Sequence, residues 1–248
     1  MSFLARAHCL EDNDPEALAR ACAEHVIARI RSALSQRNRA VIALAGGSSP
    51  VALHRALADS PTLRGLDLSR VHFILGDERA VPASHPDSNL GAARRTLLDP
   101  LGISQDQVIA LEAWSADLAQ AARRAEDALR SVCECAPPNV PSIDVLMLGV
   151  GADAHILSLF PGCPAIEDDK GRLVIALEDP PMSPPHARLS LTPTTLNAAR
   201  DIVLLAIGES KHSALARAEA AIEPVSRVPL RLLERARGGL VVAITPAR

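Results

Sequence analysis

The chain of 248 residues has no tyrosine, three phenylalanines and one tryptophan. So few aromatics remove a platform for stacking bases and weaken any case for sugar stacking. No basic run is present that would track phosphates, and the net charge of −3 argues against a nucleic-acid surface. No apolar run approaches the ~18 residues needed to cross a bilayer. The amino terminus, MSFLARAHCLEDND, also lacks the apolar core of a signal peptide. The expectation is a cytoplasmic protein with neither membrane nor nucleic acid as partner. The five cysteines are odd in number and scattered. Cys133 and Cys135 are too close for zinc-knuckle spacing and have no complementary pair, so free, partly buried thiols are expected, and no metal site.

Apolar residues, by contrast, make up 48% of the chain, enough for a full core and against disorder. Asp14-Pro15 reads as an N-cap followed by proline at the first helical position, and Leu18, Cys22, Val26 and Ile30 continue at helical spacing to about Gln36. Further helices are expected from Ser88-Asn89 to about Leu98, from Ser115 to Val132, after Thr192-Pro193 and after Pro229. Short apolar runs read as buried strands at Ala40–Ala45, Val71–Leu75, Ile143–Leu148, Leu173–Leu177, Ile202–Ile207 and Gly239–Ile244. Strand and helix alternate, with no internal repeat and no low-complexity linker. This predicts an α/β fold: a single domain over residues 1–248, with a mostly parallel sheet flanked by helices on both faces.

Three strands end in residues able to do chemistry. Ala40–Ala45 runs into Gly46-Gly47-Ser48-Ser49-Pro50, where glycine amides, hydroxyls and a helix start supply what an anion needs; Ser49 reads as the cap. No lysine follows these glycines, so this is not a nucleotide-binding P-loop. Val71–Leu75 ends in Gly76-Asp77-Glu78-Arg79. Three charges there are costly unless solvated or used: either a loop with an internal Arg–carboxylate pair, or an arginine aimed at a phosphate. Ile143–Leu148 ends in Gly149-Val150-Gly151, with Asp153 and His155 just beyond. The carboxyl edge of an open α/β sheet is where loops gather ligands, and an imidazole titrating near neutrality suits proton transfer. His72, inside a strand, reads as structural, and Cys163 as a passive thiol.

Taken together, ALAGGSSP, GDERAVPASHPDSN, LGVGADAHILSLFPG and PPHARLSLTPTTLNAAR followed by GESK resemble the 6-phosphogluconolactonase family, over about residues 41–215. The resemblance implies a Rossmann-like fold related to glucosamine-6-phosphate deaminase. It also implies hydrolysis of a sugar-phosphate lactone in the pentose phosphate pathway without a cofactor. Deaminases carry Phe-Asn-Glu-Pro after the Asp-x-His, where this chain has Ser158-Leu159-Phe160-Pro161-Gly162. By position, the resemblance implies that Gly46, Gly47, Ser48 and Ser49 wrap the sugar phosphate. Arg79, Arg188 and Lys211 would meet the phosphate, Asp77 and Asn89 would complete the pocket, and His155 would be the general base beside Asp153. A monomer or weak homodimer is expected. The alternatives are an isomerase or deaminase of the same superfamily, or a sugar-phosphate binder without turnover. Three positions depart from the family pattern: Ala154 stands where glycine is usual, Ile156 where threonine is usual, and the carboxyl end lacks the usual tryptophan. At a positive φ, Ala154 would cost roughly 1 kcal/mol and threaten the placement of His155.

Overall fold

The computed structural model describes residues 2–47, 49–181 and 185–246. Its centre is a parallel sheet that follows from runs too apolar to leave one face wet. Among the described residues the strands are β1 (His8–Glu11), β2 (Ala40–Leu44), β3 (Val71–Leu75), β4 (Asp77–Arg79), β5 (Val108–Ile109), β6 (Val145–Gly149), β7 (Val174–Leu177), β8 (Arg188–Leu191), β9 (Asp201–Ala206) and β10 (Gly239–Ile244). Every residue of β2 and of β9 is buried. Successive side chains of a strand point to opposite faces, so both faces of this sheet are covered.

The helices are α1 (Pro15–Arg37), α2 (Pro50–Asp59), α3 (Pro61–Arg64), α4 (Asn89–Ala93), α5 (Leu118–Val132), α6 (Pro193–Ala198) and α7 (His212–Ala220). The caps read from the sequence are largely in place. The Asp14 carboxylate accepts from the Glu16 amide, Ser88 accepts from Gly91, and Thr192 accepts from Thr195. Ser49 is a correction: α2 starts at Pro50, but the Ser49 side chain makes no capping bond and its backbone is helical. The expected helix from Ser88-Asn89 is α4, which runs on as a π-helical turn over Arg94–Leu98. The segment after Pro229 is a 3-10 helix.

Seven strands form the parallel sheet in the order β1-β10-β9-β6-β2-β3-β5. From β2 the chain moves outward through β3 to β5, then returns to lay β6 on the other side of β2. The carboxyl ends of β2 and β6 therefore lie side by side where the winding reverses, which is where open α/β sheets hold ligands. The short edge strands β1 and β5 were not expected from the sequence. Nor was a second, antiparallel sheet of order β4-β8-β7.

One buried group sets a pH dependence of stability. His54 on α2 is 3% exposed; its Nδ1 lies 3.1 Å from the Thr96 hydroxyl, and its Nε2 has no partner among the described residues. Burial pushes this imidazole down to about 4. The unfolded chain takes a proton below about pH 6.5 that the folded one refuses, so stability falls as pH drops from there toward 4. The loss expected between pH 7 and pH 4.5 is about 2–3 kcal/mol at 1.36 kcal/mol per unit. Urea unfolding at both pH values should show that much less acid destabilisation in His54→Leu.

Candidate active site

The neighbouring of β2 and β6 in the sheet brings two glycine turns into contact. Beyond β2 the chain passes through Gly46 and Gly47, and beyond β6 through Gly149, Val150 and Gly151. A Cβ on Gly149 would sit 3.9 Å from the Gly46 carbonyl, so the turns abut. Between them opens a cavity of about 220 Å³. Its lining includes Gly46, Gly47, Ser49, Asp77, Arg79, Asn89, His155, Arg188 and Lys211. These side chains come from points up to 165 positions apart in the chain. Asp153 is not in the lining but contacts His155. Ser48 lies outside the described residues.

At one side of the cavity, His155 Nδ1 is 2.6 Å from Asp153 Oδ1, which also accepts the His155 amide at 3.2 Å. With Nδ1–H directed at a carboxylate, Nε2 is the ring nitrogen left for a proton in transit. The Phe160 ring lies 4.6 Å from the imidazole, and the Arg188 guanidinium 5.5 Å from Phe160. Burial pushes the Asp153 carboxyl up, but the hydrogen bonds and charge of His155 outweigh it and hold the group below its ordinary value. Gly151 is the floor under this pair. A Cβ there would stand 2.1 Å from His155 Nδ1 and 2.4 Å from Asp153 Oδ1.

Ala154 has φ +70°, the costly case for the residue standing in place of glycine. His155 is nonetheless held on Asp153, and the turn is closed by Ala154 N–H donating to Gly151 O and Gly151 N–H donating to His155 O. Ile156 is fully buried and packs in the core. The strain at Ala154 is about 1–2 kcal/mol. It is opposed by the ~0.5–1 kcal/mol of extra chain entropy of glycine and the ~0.8 kcal/mol of a buried methyl. Ala154→Gly should therefore be nearly neutral in a thermal melt. Ala154→Val, a branched side chain at positive φ in a site with no exposure, should cost about 2 kcal/mol or more.

Also in the lining, β4 and β8 put two arginines directly opposite each other, Arg79 against Arg188. Like charges facing across a ladder are unfavourable unless something anionic lies between them. Arg188 is 4% exposed. Its Nη1 donates to Asp77 Oδ2 and to Ser158 Oγ, both at 3.4 Å. Burial and the Arg79 charge pull its guanidinium down from the ordinary value, with Asp77 and Glu78 pushing back. Lys211 arrives from the turn after β9, beyond Gly208 at φ +102°.

The Asp77–Arg79 stretch corrects the picture of a solvated loop with an internal ion pair. Glu78 is 1% exposed and does not pair with the Arg79 side chain. Its carboxylate accepts the amides of Arg79, Asn89 and Leu90 and the Ser88 hydroxyl. Burial still raises its pKa against those bonds. Glu78 therefore ties β4 to the start of α4, and Arg79 Nη1 donates to the Asp87 carbonyl at 2.7 Å. Asn89 Nδ2 donates to the Asp77 carbonyl at 2.8 Å. This packs its amide where a Cβ on Gly46 would be, 2.2 Å away. Close approach, not turn shape, is the reason for glycine at 46. In the sequence Glu78 stands out only as one of three costly charges, and Ser158 and Phe160 only within the run that differs from deaminases, so none of them was expected in the site.

His72 is half-buried within β3, as a structural residue should be. All five cysteines are free. Among the described residues no three His, Cys, Asp or Glu side chains are grouped to hold a metal, and no helix is long and apolar enough to cross a membrane.

The chain is similar to known proteins over most of its length. The family model described as glucosamine-6-phosphate isomerases/6-phosphogluconolactonase matches residues 13–242. Two curated 6-phosphogluconolactonases are among the similar proteins. That of Streptomyces coelicolor is 40% identical over 214 residues, 83% of this chain and 80% of the relative. That of Pseudomonas aeruginosa is 41% identical over 223 residues, 88% and 87%. Among solved structures, 6-phosphogluconolactonase from Trypanosoma cruzi superposes with a TM-score of 0.84 at 27% identity, covering 99% of this chain and 96% of that one. A monomeric glucosamine-6-phosphate deaminase shares the fold, with a TM-score of 0.79 at 21% identity over 96% and 97% of the two chains. The chain belongs to the glucosamine-6-phosphate isomerase/6-phosphogluconolactonase family, and is an enzyme on its 6-phosphogluconolactonase side.

Proposed function

We propose that this chain hydrolyses 6-phospho-D-glucono-1,5-lactone to 6-phospho-D-gluconate, a step of the pentose phosphate pathway. One observation carries the reading: His155, hydrogen-bonded to Asp153 behind it, shares a cavity with two opposed arginines and a lysine. The cations take the phosphate, and the imidazole works on the lactone carbonyl. Holding the phosphate fixes the ring, and orientation of this kind lowers a barrier by several kcal/mol.

Nε2 of His155 takes a proton from water as the water attacks the carbonyl carbon, and Asp153 steadies the imidazolium that results. The ring oxygen leaves as the C–O bond breaks and recovers a proton, giving the free acid. The tetrahedral oxyanion needs donors. The Gly151 amide is occupied by the His155 carbonyl; the amides of the abutting Gly46–Gly47 turn are the donors in this reading. Asp77 and Asn89, at the cavity wall, orient the sugar hydroxyls. Every step uses groups of this chain alone.

The test is opening of freshly made lactone, coupled to NADP reduction by 6-phosphogluconate dehydrogenase and compared with the spontaneous rate. Acceleration without ammonia release from glucosamine 6-phosphate supports the lactonase. Ammonia release would make the chain a deaminase. Tight binding of 6-phosphogluconate with no acceleration would make it a sugar-phosphate binder.

A further inference from the structure

The turn that carries His155 has φ +70° at a non-glycine residue, and a second residue of the same loop, Leu157, has φ +56°. Backbone held in this region persists only where its surroundings over-determine it. Those surroundings are the segment 221–231, which lies outside every motif singled out in the sequence. Leu230 N–H donates to the Ala154 carbonyl at 2.9 Å, and Gly162 N–H donates to the Ser226 carbonyl at 2.7 Å. The two ends of the 154–162 loop are thus docked on one strap.

Arg217, on α7, joins the strap to the turn. Its guanidinium pairs with both oxygens of Glu223, Nε at 2.9 Å and Nη2 at 3.0 Å. Nη2 also reaches the Arg227 carbonyl at 3.4 Å, and Nη1 donates to the Asp153 carbonyl at 3.3 Å. Arg231 fastens the strap further, pairing with Glu234 and donating to the Glu223 carbonyl. Arg217 is not in the lining of the cavity. It does sit on the helix that begins at His212, directly after Lys211. One guanidinium therefore ties the element bearing Lys211 to the backbone between Asp153 and His155.

We infer that Arg217 is a positioning residue, which clamps the strained Asp153–His155 turn to the strap and sets the imidazole relative to Lys211. The inference rests on the reading of His155 as the base. A planar fork suits this task, because two of its nitrogens are spent on Glu223 while a third still reaches a carbonyl. Misplacing a catalytic group by about an ångström costs up to ~10²-fold in rate.

The experiment compares the full-length protein with Arg217→Met and Glu223→Gln. The second variant loosens the arginine without touching the turn. With lactone as substrate, Arg217→Met should lower kcat about tenfold while KM stays within about twofold. The Kd for 6-phosphogluconate, measured by calorimetry, should also stay within about twofold, since the phosphate groups are untouched. Glu223→Gln should show a smaller loss of the same kind. Native-state exchange of the Gly151 and Ala154 amides should quicken about tenfold in Arg217→Met, with core strands unchanged. A raised KM or Kd at unchanged kcat would overturn the inference and make Arg217 a phosphate ligand. Unchanged kinetics with unchanged exchange, or faster exchange throughout the molecule, would overturn it as well. If the unmodified protein does not accelerate lactone opening, it is the functional reading that fails, and the exchange data alone still decide the clamp.

Discussion

His155→Ala is expected to lower kcat for lactone opening by about 10²–10⁴-fold, the range of a positioned general base. The measurement is the coupled rate after subtraction of spontaneous opening. The substitution removes a half-exposed ring held by one side-chain partner, Asp153, and one ring contact, Phe160. It should leave the fold intact, and Arg79, Arg188 and Lys211 should still bind 6-phosphogluconate with little change in Kd. Asp153→Asn should cost less, because an amide can still meet the ring but no longer steadies the imidazolium or selects Nδ1–H. A His155→Ala protein with full activity would move the base elsewhere. Asp77 would be the first residue to examine, being a carboxylate in the lining.

Gly151→Ala is expected to be nearly as damaging as loss of His155, although it adds a single methyl. The new Cβ would fall 2.1 Å from His155 Nδ1, 2.3 Å from Cε1 and 2.4 Å from Asp153 Oδ1. No real Cβ tolerates such contacts, so the ring and the carboxylate must both move, and their hydrogen bond is the first casualty. The rate loss should be at least ~10²-fold, following from displacement of about an ångström or more. Overall stability should fall only modestly, since the displaced side chains border open cavity instead of core. Near-wild-type kinetics in this variant would mean that the Asp153–His155 contact is not the catalytic geometry. Gly46→Ala acts by the same logic on Asn89. There the side chain to be moved is buried and bonded to the Asp77 carbonyl, so the greater part of the damage should appear as lost stability.

The sequence by itself determined the parallel layer and the placing of its chemistry. Buried parallel strands are short, largely apolar runs, and Ala40–Ala45, Val71–Leu75 and Ile202–Ile207 stand out for that reason. The turns that follow them carry glycine, proline and charge because a carboxyl sheet edge must turn sharply and face solvent or ligand. Gly46, Asp77, Arg79 and His155 could therefore be picked out from their own neighbours, whereas Asn89, Arg188 and Lys211 came from the family resemblance.

What only the tertiary structure decided is which of them meet, and what holds them. The antiparallel pairing of β4, β8 and β7 into a sheet was invisible: β7 reads as a strand from its apolar run, but β4 and β8 are three and four residues long and β4 is wholly charged. Yet that sheet alone sets Arg79 opposite Arg188. The role of Glu78 was equally hidden: a buried carboxylate bonded to amides eleven and twelve residues on looks, in sequence, like any loop acid. The φ of Ala154 and the clamp from Arg217, 63 positions beyond it, depend on how α7 and the strap fold back over the turn. Local pattern encodes elements because periodicity and turn chemistry are local. Contacts between elements are set by packing, and their residues carry no mark in the chain until the sheet brings them together.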